Sequence, residues 1–277
     1  MIGKPVLPIQ VVDLFPELLD ALLRLLSDLG AAEWKHPTAC AGWSVHDVAL
    51  HLLGDDVGFV SRKRDGYALP ASVEGWDSLV AWIDEHNALW VAAARRMSPR
   101  LLCDLLRLVG GQMCATVKTL DPDALGGPVS WAGPGPAPVW LDLAREYTER
   151  WLHQQHIRDA VDRPGLKGPR FLAPVLDTFV RALPRAYQEV DAPGGTLVAL
   201  TLTGDAGGRW FLLREKGAWH LCLEIERRPQ AEVVLGQELA WRLFTKGLHP
   251  EQVRAAVELR GDVALGLKAL DTVSILA

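Results

Sequence analysis

Two segments of the sequence carry histidine and carboxylate side chains at spacings that suit metal binding. In the segment TERWLHQQHIRDA, Glu149 and His153 lie four residues apart, and His156 follows three residues later. At about 100° per residue in an α-helix, these side chains fall within roughly 60° of arc and share one face. A carboxylate and an imidazole one turn apart can both reach a single ion. The same spacing is also typical of an ordinary helical pair, so the segment alone leaves both interpretations open.

The other segment, earlier in the chain, carries His46 and His51. Its apolar residues recur with helical period and form one broad arc, which consists of Val45, Val48, Ala49, Leu52, Leu53, Val57 and Val60. His51 falls outside that arc, on a seam with Asp47 and Asp55. A histidine at such a position is either a solvated surface residue or a ligand that faces a second helix. The residues alone do not decide between the two.

The elements that must position these side chains are helical up to about residue 163. The predicted helices cover residues 9–29, 44–64, 73–97, 99–120 and 139–161. Ser44 is the expected N-cap of the second helix, with Asp47 three residues later in the capping-box position. Residues 36–42 predict a loop, and the Gly- and Pro-rich residues 126–138 predict a surface loop or a lid.

The character of the sequence changes at residues 193–195, Pro-Gly-Gly. Before this point a helix over residues 170–190 is expected to be kinked or broken near Pro174 and Pro184. After it, alternating and β-branched segments predict a meander of antiparallel strands and a further short strand, over residues 196–203, 209–215, 218–225 and 231–235. Helical patterns return at 238–244 and 250–258. The pattern predicts a small C-terminal α+β domain with an antiparallel sheet.

Composition excludes several classes of protein. A net charge of −5 and a pI near 5.9 argue against sequence-independent binding to nucleic acid, which needs a basic face. No run approaches 18 uninterrupted apolar residues, and the first residues lack the pattern of a signal peptide, so we expect no membrane span and a cytoplasmic protein. The four cysteines form no CxxC pair, which favours free thiols over a disulfide framework.

Motifs in both halves of the chain resemble the mycothiol-dependent maleylpyruvate isomerase family, whose bundle belongs to the DinB-like group. The N-terminal motif is Thr-x-Cys-x-Gly-Trp at residues 38–43, followed by a capped helix that contains His51-Leu52. A later helix carries Glu-x-x-x-His at 149–153 and then Ile-Arg-Asp-Ala at 157–160. The segments TGDAGGRW, WRL around Trp241 and RGDVALG from Arg260 are similar to the sterol-carrier-like module attached to many of these bundles.

The resemblance implies both an architecture and a metal site. It implies a DinB-like four-helix bundle over residues 1–167 and a sterol-carrier-like α+β domain over residues 168–277. It also implies zinc, or another divalent metal, bound by His51, Glu149 and His153. Many relatives have an acidic residue where this chain has His156, which leaves that residue as a neighbouring group or an alternative ligand.

Two imidazoles and one carboxylate leave one open position on a tetrahedral zinc, as in catalytic sites. The resemblance implies mycothiol there, as a thiolate, with a small-molecule substrate in a cis–trans isomerisation or a thiol S-transfer. Metal-bound water would instead give a hydrolase, with Asp47, Asp55 or His156 as the base. A non-catalytic small-molecule binding protein is the third alternative. The candidate anchors for an anionic substrate, which also suit a helix macrodipole, are Arg62, Lys63, Arg64, Arg150 and Arg158.

Overall fold

The computed structural model describes residues 3–67, 76–129, 131–133 and 135–274. The helices that precede the main strands are α1 (Leu14–Ser27), α2 (Val45–Lys63), α3 (Trp76–Ala94), α4 (Pro99–Val117), α5 (Val139–Ala160), α6 (Pro169–Val180) and α7 (Leu183–Ala186). The predicted start of the third helix, at 73–75, lies outside the described residues. Among the described residues, no helix is both long and apolar enough to cross a membrane.

The chain divides into two compact units, each made of segments that are distant in sequence. The helical unit comprises Val11–Pro122 and Glu146–Gly165. The sheet unit comprises Met1–Gln10, Asp123–Arg145 and Leu166–Ala277. The boundary that we expected after residue 167 stays a prediction.

The helical unit is a bundle of α1, α2, α4 and the C-terminal part of α5, with α3 packed on α2. Apolar side chains of α2 lie in its core, each at most 2% exposed: Val45, Val48, Ala49, Leu52 and Leu53. Full burial of a Val or Leu side chain contributes roughly 1.5–3 kcal/mol, so the broad apolar arc of α2 is the main reason it docks here. The side chain of Gln154 on α5 donates to the carbonyl of Leu18 on α1 at 3.1 Å, which joins those two helices.

The start of α2 is fixed by the capping box expected from the sequence. The Ser44 hydroxyl accepts from the backbone N–H of Asp47 at 3.3 Å, and the Asp47 carboxylate accepts from the backbone N–H of Ser44 at 3.0 Å. Arg95 also pairs with Asp47 at 2.8 Å. These contacts satisfy free N–H groups at the first turn and set where α2 begins.

The sheet unit contains a six-stranded sheet in the order β1-β4-β3-β2-β5-β6. Its strands are β1 (Lys4–Pro5), β2 (Leu197–Thr203), β3 (Gly208–Glu215), β4 (Ala218–Glu224), β5 (Ala231–Gly236) and β6 (Glu258–Gly261). The antiparallel meander of β2, β3 and β4 is as predicted. Further helices follow β5, namely α8 (Gln237–Phe244), α9 (Pro250–Val253) and α10 (Val263–Leu267). The predicted fold class, a helical bundle followed by a small α+β domain, is confirmed.

The sheet is mixed, which corrects the expectation of an antiparallel one. β5 pairs with β2 in parallel, with Val198 opposite Ala231. Gln230 fixes this register, because its backbone N–H donates to the carbonyl of Leu197 at 2.8 Å and its side-chain oxygen accepts from the N–H of Leu197 at 2.7 Å. The chain thus returns to the start of β2 before β5 begins, and the two strands run the same way.

Candidate metal centre

The loop before α2 is shaped by its own backbone and one threonine. The Thr38 hydroxyl donates to the carbonyl of Trp43 at 2.9 Å and accepts from the backbone N–H of Cys40 at 3.2 Å. The backbone N–H of Trp43 donates a hydrogen bond to the carbonyl of Cys40 at 3.0 Å. Gly42 has a φ of +77°, a conformation that glycine adopts without steric cost. The loop therefore holds Cys40 and Trp43 in fixed positions next to the first turns of α2.

The structure brings His51, Glu149 and His153 together, which agrees with the grouping that the family resemblance implies. Glu149 Oε1 lies 2.9 Å from His153 Nε2 and 3.5 Å from His51 Nε2. One ligand atom from each residue lies within 4.8 Å of the others. His51 is 3% exposed, so the interpretation of this residue as a solvated surface histidine is wrong. His51 is buried because α2 packs against neighbouring elements both through its apolar arc and through the adjacent face that carries His51.

The spacing of these atoms suits a tetrahedral ion. Zinc binds nitrogen at about 2.0–2.1 Å and carboxylate oxygen at about 2.0–2.2 Å, which places two such ligands about 3.4 Å apart. The separations of 2.9 and 3.5 Å from Glu149 Oε1 lie on either side of that value. Two imidazoles and one carboxylate are also ligand types that zinc takes in proteins. The residues fit a divalent metal.

The ionisation of the triad is strongly coupled. Burial opposes the charge on Glu149, but His153 and His51 outweigh it and hold the pKa of this carboxyl well below its usual range. Burial likewise disfavours a charged His153, but Glu149 and Cys40 outweigh it and raise the pKa of His153 to about 10. The half-buried Glu149 carboxylate is therefore ionised, and a metal ion that binds here must displace the proton of His153.

Asp55 adds a second carboxylate beside the triad. It lies four residues after His51 on α2, and its Oδ2 is 3.3 Å from His51 Nε2. That oxygen is buried and makes no hydrogen bond within the described part of the chain. Burial raises the pKa of Asp55, Glu149 adds to the effect, and His51 opposes it. The His-x-x-x-Asp spacing is the sequence signal for this residue, which the sequence indicates only as a possible base.

Cys40 and His156 form a contact on the far side of His153. Cys40 Sγ lies 3.2 Å from His156 Nδ1 and 3.8 Å from His153 Nδ1. His156 therefore meets the loop cysteine and is not part of the set that contains Glu149. Sequence reasoning assigned no role to the Cys40 thiol, because no local spacing relates residue 40 to a helix more than a hundred residues later.

The other candidate residues have structural partners. Asp47 is occupied by the Ser44 cap and by Arg95. His46 packs edge-on against Trp34, with ring centroids 5.8 Å apart. The basic anchor candidates also have neighbours: Arg62 lies 3.9 Å from Glu146, Arg64 pairs with Asp65 and Gln112, Arg150 pairs with Asp56 and Glu146, and Arg158 bonds Gln154 and the carbonyl of Arg163.

The model of the Mycothiol maleylpyruvate isomerase N-terminal domain family matches residues 15–158, just over half of the sequence. The matched region runs from α1 to α5 and contains the whole triad. The chain belongs to this family. The resemblance seen in the motifs is thereby confirmed. No curated protein matches the chain.

Solved structures share the fold of this family member. The crystal structure of the mycothiol-dependent maleylpyruvate isomerase is similar with a TM-score of 0.51 and 14% identity, over 84% of this chain and 86% of that one. A mutant of that enzyme gives a TM-score of 0.50 with the same identity and coverage. The sterol carrier protein domain 2 of Helicoverpa armigera, at 14% identity over 37% of this chain and 79% of that one, has a TM-score of 0.24, which is too low to support an argument.

Proposed function

We propose that the chain is a metal- and thiol-dependent enzyme of the maleylpyruvate isomerase type, a cis–trans isomerase or a thiol S-transferase. The observation that carries the proposal is the grouping of buried His51 and His153 with half-buried Glu149, at spacings that suit a tetrahedral ion, in a member of this family. The structures that share the fold are described as mycothiol-dependent, which favours mycothiol as the thiol.

The residues around the triad suit this chemistry. His51, Glu149 and His153 would hold zinc, which supplies a binding position where a thiol is stable as its nucleophilic thiolate. Asp55 Oδ2, 3.3 Å from His51, is the acceptor placed to take the thiol proton. The ring of Trp43 lies 5.2 Å from that of His51 and shields one side of this histidine from water.

The metal ligands are tested by zinc content. We expect protein purified without chelator to hold about one zinc per chain, and His51→Ala or His153→Ala to lower this roughly tenfold or more. His220→Ala, a substitution of an exposed histidine on β4, is the matched control and should leave the content unchanged. Full zinc retention in both triad variants would overturn the site.

The thiol is tested in cobalt-substituted protein, where a bound thiolate gives a sulfur-to-metal band in the near ultraviolet. The Cys40→Ser variant is the appropriate background, because the Cys40 thiol lies beside His153 and would add its own signal. We expect the band to appear when mycothiol is titrated in and to be absent when His51→Ala is added to the same variant. No band at saturating thiol would contradict the proposal.

The second candidate function is a zinc hydrolase. Asp55 Oδ2 favours it, because this oxygen makes no hydrogen bond among the described residues and a metal-bound water needs a base close by. Thiol-independent turnover of an ester or amide, with no cobalt–thiolate band, would establish the hydrolase. If the protein shows neither the cobalt–thiolate band nor turnover of an ester or amide, the remaining alternative is a non-catalytic binding protein.

A further inference from the structure

The described residues contain a second group of metal-ligand side chains, formed by Cys40, His153 and His156. One ligand atom from each lies within 4.8 Å of the others. Zinc–sulfur bonds of about 2.3 Å and zinc–nitrogen bonds of about 2.0–2.1 Å place the two ligands about 3.6 Å apart at a tetrahedral angle. The observed separations from Cys40 Sγ, 3.2 Å to His156 Nδ1 and 3.8 Å to His153 Nδ1, lie on either side of that value.

The residues of this second group are positioned by burial on α5 and by the loop before α2. His153 and His156 are buried on α5, at 4% and 7% exposure. Cys40 is fixed from the other side by the Thr38 hydrogen bond to its backbone N–H. The ring centroids of the two histidines are 5.3 Å apart at an angle of 77°, so their nitrogens converge on the thiol instead of stacking.

The two groups differ in the cations they prefer. One thiolate and two imidazoles form a softer ligand set than two imidazoles and one carboxylate, and thiolate ligands select thiophilic ions such as Cd²⁺ and Cu⁺. The fourth position of a tetrahedral ion would remain open in either group.

His153 belongs to both groups through opposite ring nitrogens. Its Nε2 faces Glu149 and its Nδ1 faces Cys40. A neutral imidazole has one nitrogen with a free lone pair and one that carries the proton, so it serves one ion at a time. An ion on Nε2 leaves an N–H that can only donate to Cys40, and an ion on Nδ1 leaves an N–H that can only donate to Glu149.

We propose that Cys40, His153 and His156 form a second, thiophilic cation site that competes with the His51, Glu149 and His153 site for their shared histidine. A soft cation bound there removes His153 from the first site, so such ions act as antagonists of metal binding at the triad. Binding of a soft cation by the second group is independent of the function above, whereas the competition for His153 rests on metal binding at the triad, which belongs to that proposed function.

The test is a titration of metal-free protein with Cd²⁺, followed by the ultraviolet sulfur-to-cadmium band. We expect the band in the wild type and in His51→Ala, which keeps all three residues of the second group. It should be lost in Cys40→Ser, and His156→Gln should weaken Cd²⁺ binding roughly tenfold or more. Cys103→Ser, which changes a partly buried thiol on α4, is the matched control and should behave as wild type. Circular dichroism checks that each variant is folded.

Two results would overturn the proposal. The first is the absence of the cadmium band from both the wild type and His51→Ala, or its persistence in Cys40→Ser. Either result means that Cys40 does not bind the ion. The second is a Cd²⁺ midpoint that does not move to higher concentration in wild type whose measured zinc content is about one per chain, because competition for His153 requires that shift. Zinc loss in His51→Ala with a retained cadmium band separates the two sites. If the wild type binds no zinc, the competition is overturned together with the proposed function, while the cadmium band still tests the second group.

Discussion

Arg150 carries a positive charge into the interior of the helical unit, next to Glu149 in sequence. Its guanidinium contacts Asp56 at 2.8 Å and Glu146 at 2.7 Å. Burial disfavours the charge, but the two carboxylates outweigh it and raise the pKa of Arg150 above its usual range. A substrate anchor needs a free guanidinium, whereas the guanidinium of Arg150 is engaged in ion pairs that connect α5 to α2.

We predict that Asp56→Ala destabilises the helical unit by about 3 kcal/mol, the lower end of the range for breaking a buried pair, because Arg150 keeps Glu146 as a partner. Urea unfolding measures the change. Asp104→Ala removes an exposed partner of Arg107 and serves as the control, with an expected loss below about 1 kcal/mol. Equal losses in the two variants would show that the buried network contributes no more than a surface pair.

At the residue scale, the sequence indicated the Glu149–His153 pair but neither the burial of His51 nor the Cys40–His156 contact. The Glu149–His153 pair was visible because a helix converts a four-residue spacing into a shared face. The burial of His51 was not, because periodicity shows which face is apolar but not how many neighbours a helix has. The Cys40–His156 contact depends on a loop meeting a distant helix, and no local spacing encodes that.

At the scale of elements, α4 approaches its neighbours closely at one glycine of an adjacent pair. A Cβ on Gly110 would lie 2.8 Å from a methyl carbon of Leu19 and 3.1 Å from a carboxylate oxygen of Asp56. A Cβ on Gly111 would meet no atom within 4 Å among the described residues. Both residues are glycines of the same helix, but Gly110 faces the packed core and Gly111 faces open space.

This pair gives opposite predictions for the same substitution. Gly110→Ala should destabilise the helical unit by about 1–3 kcal/mol, because the added methyl overpacks the contact between α1, α2 and α4. Gly111→Ala should stabilise it by about 0.5–1 kcal/mol, because alanine lowers the backbone entropy lost in forming the helix. Chemical unfolding of the two variants is the measurement, and effects of the same sign would contradict the packing in the structure.

The helices were predicted more closely than the strands. The fifth predicted helix, 139–161, is observed as Val139–Ala160, because the Gly- and Pro-rich segments on either side of it are local signals that mark its ends. The parallel register of β5 and the strand β6 were missed, since pairing depends on residues far apart in sequence. The predicted helix at 250–258 is shorter, because α9 ends at Val253 and the chain enters β6 at Glu258.

At the scale of the whole molecule, the first residues of the chain belong to the sheet unit, whose other strands lie near the other end of the sequence. Lys4 pairs with Glu224 in the β1–β4 ladder, and Gly3 approaches the Cys222 side chain so closely that an added Cβ would lie 3.0 Å from Sγ. The carbonyl of Leu7 accepts from the buried Arg181 guanidinium at 2.8 Å. A two-residue strand that contains a proline carries no periodic signal, which is why the sequence did not predict it.

Removal of residues 1–8 should therefore weaken the sheet unit and uncover Cys222, which is 1% exposed and whose thiol pKa is raised by burial. We expect a loss of about 1–3 kcal/mol, since the deletion removes the β1–β4 pairing and one acceptor of the buried Arg181. The rate of Cys222 alkylation in the folded protein, followed by mass spectrometry, should rise because the edge of β4 is open. Lys4→Ala is the matched control, as it removes only an exposed ion pair and keeps the strand. An unchanged alkylation rate in the truncated protein would show that β1 does not protect this edge of the sheet.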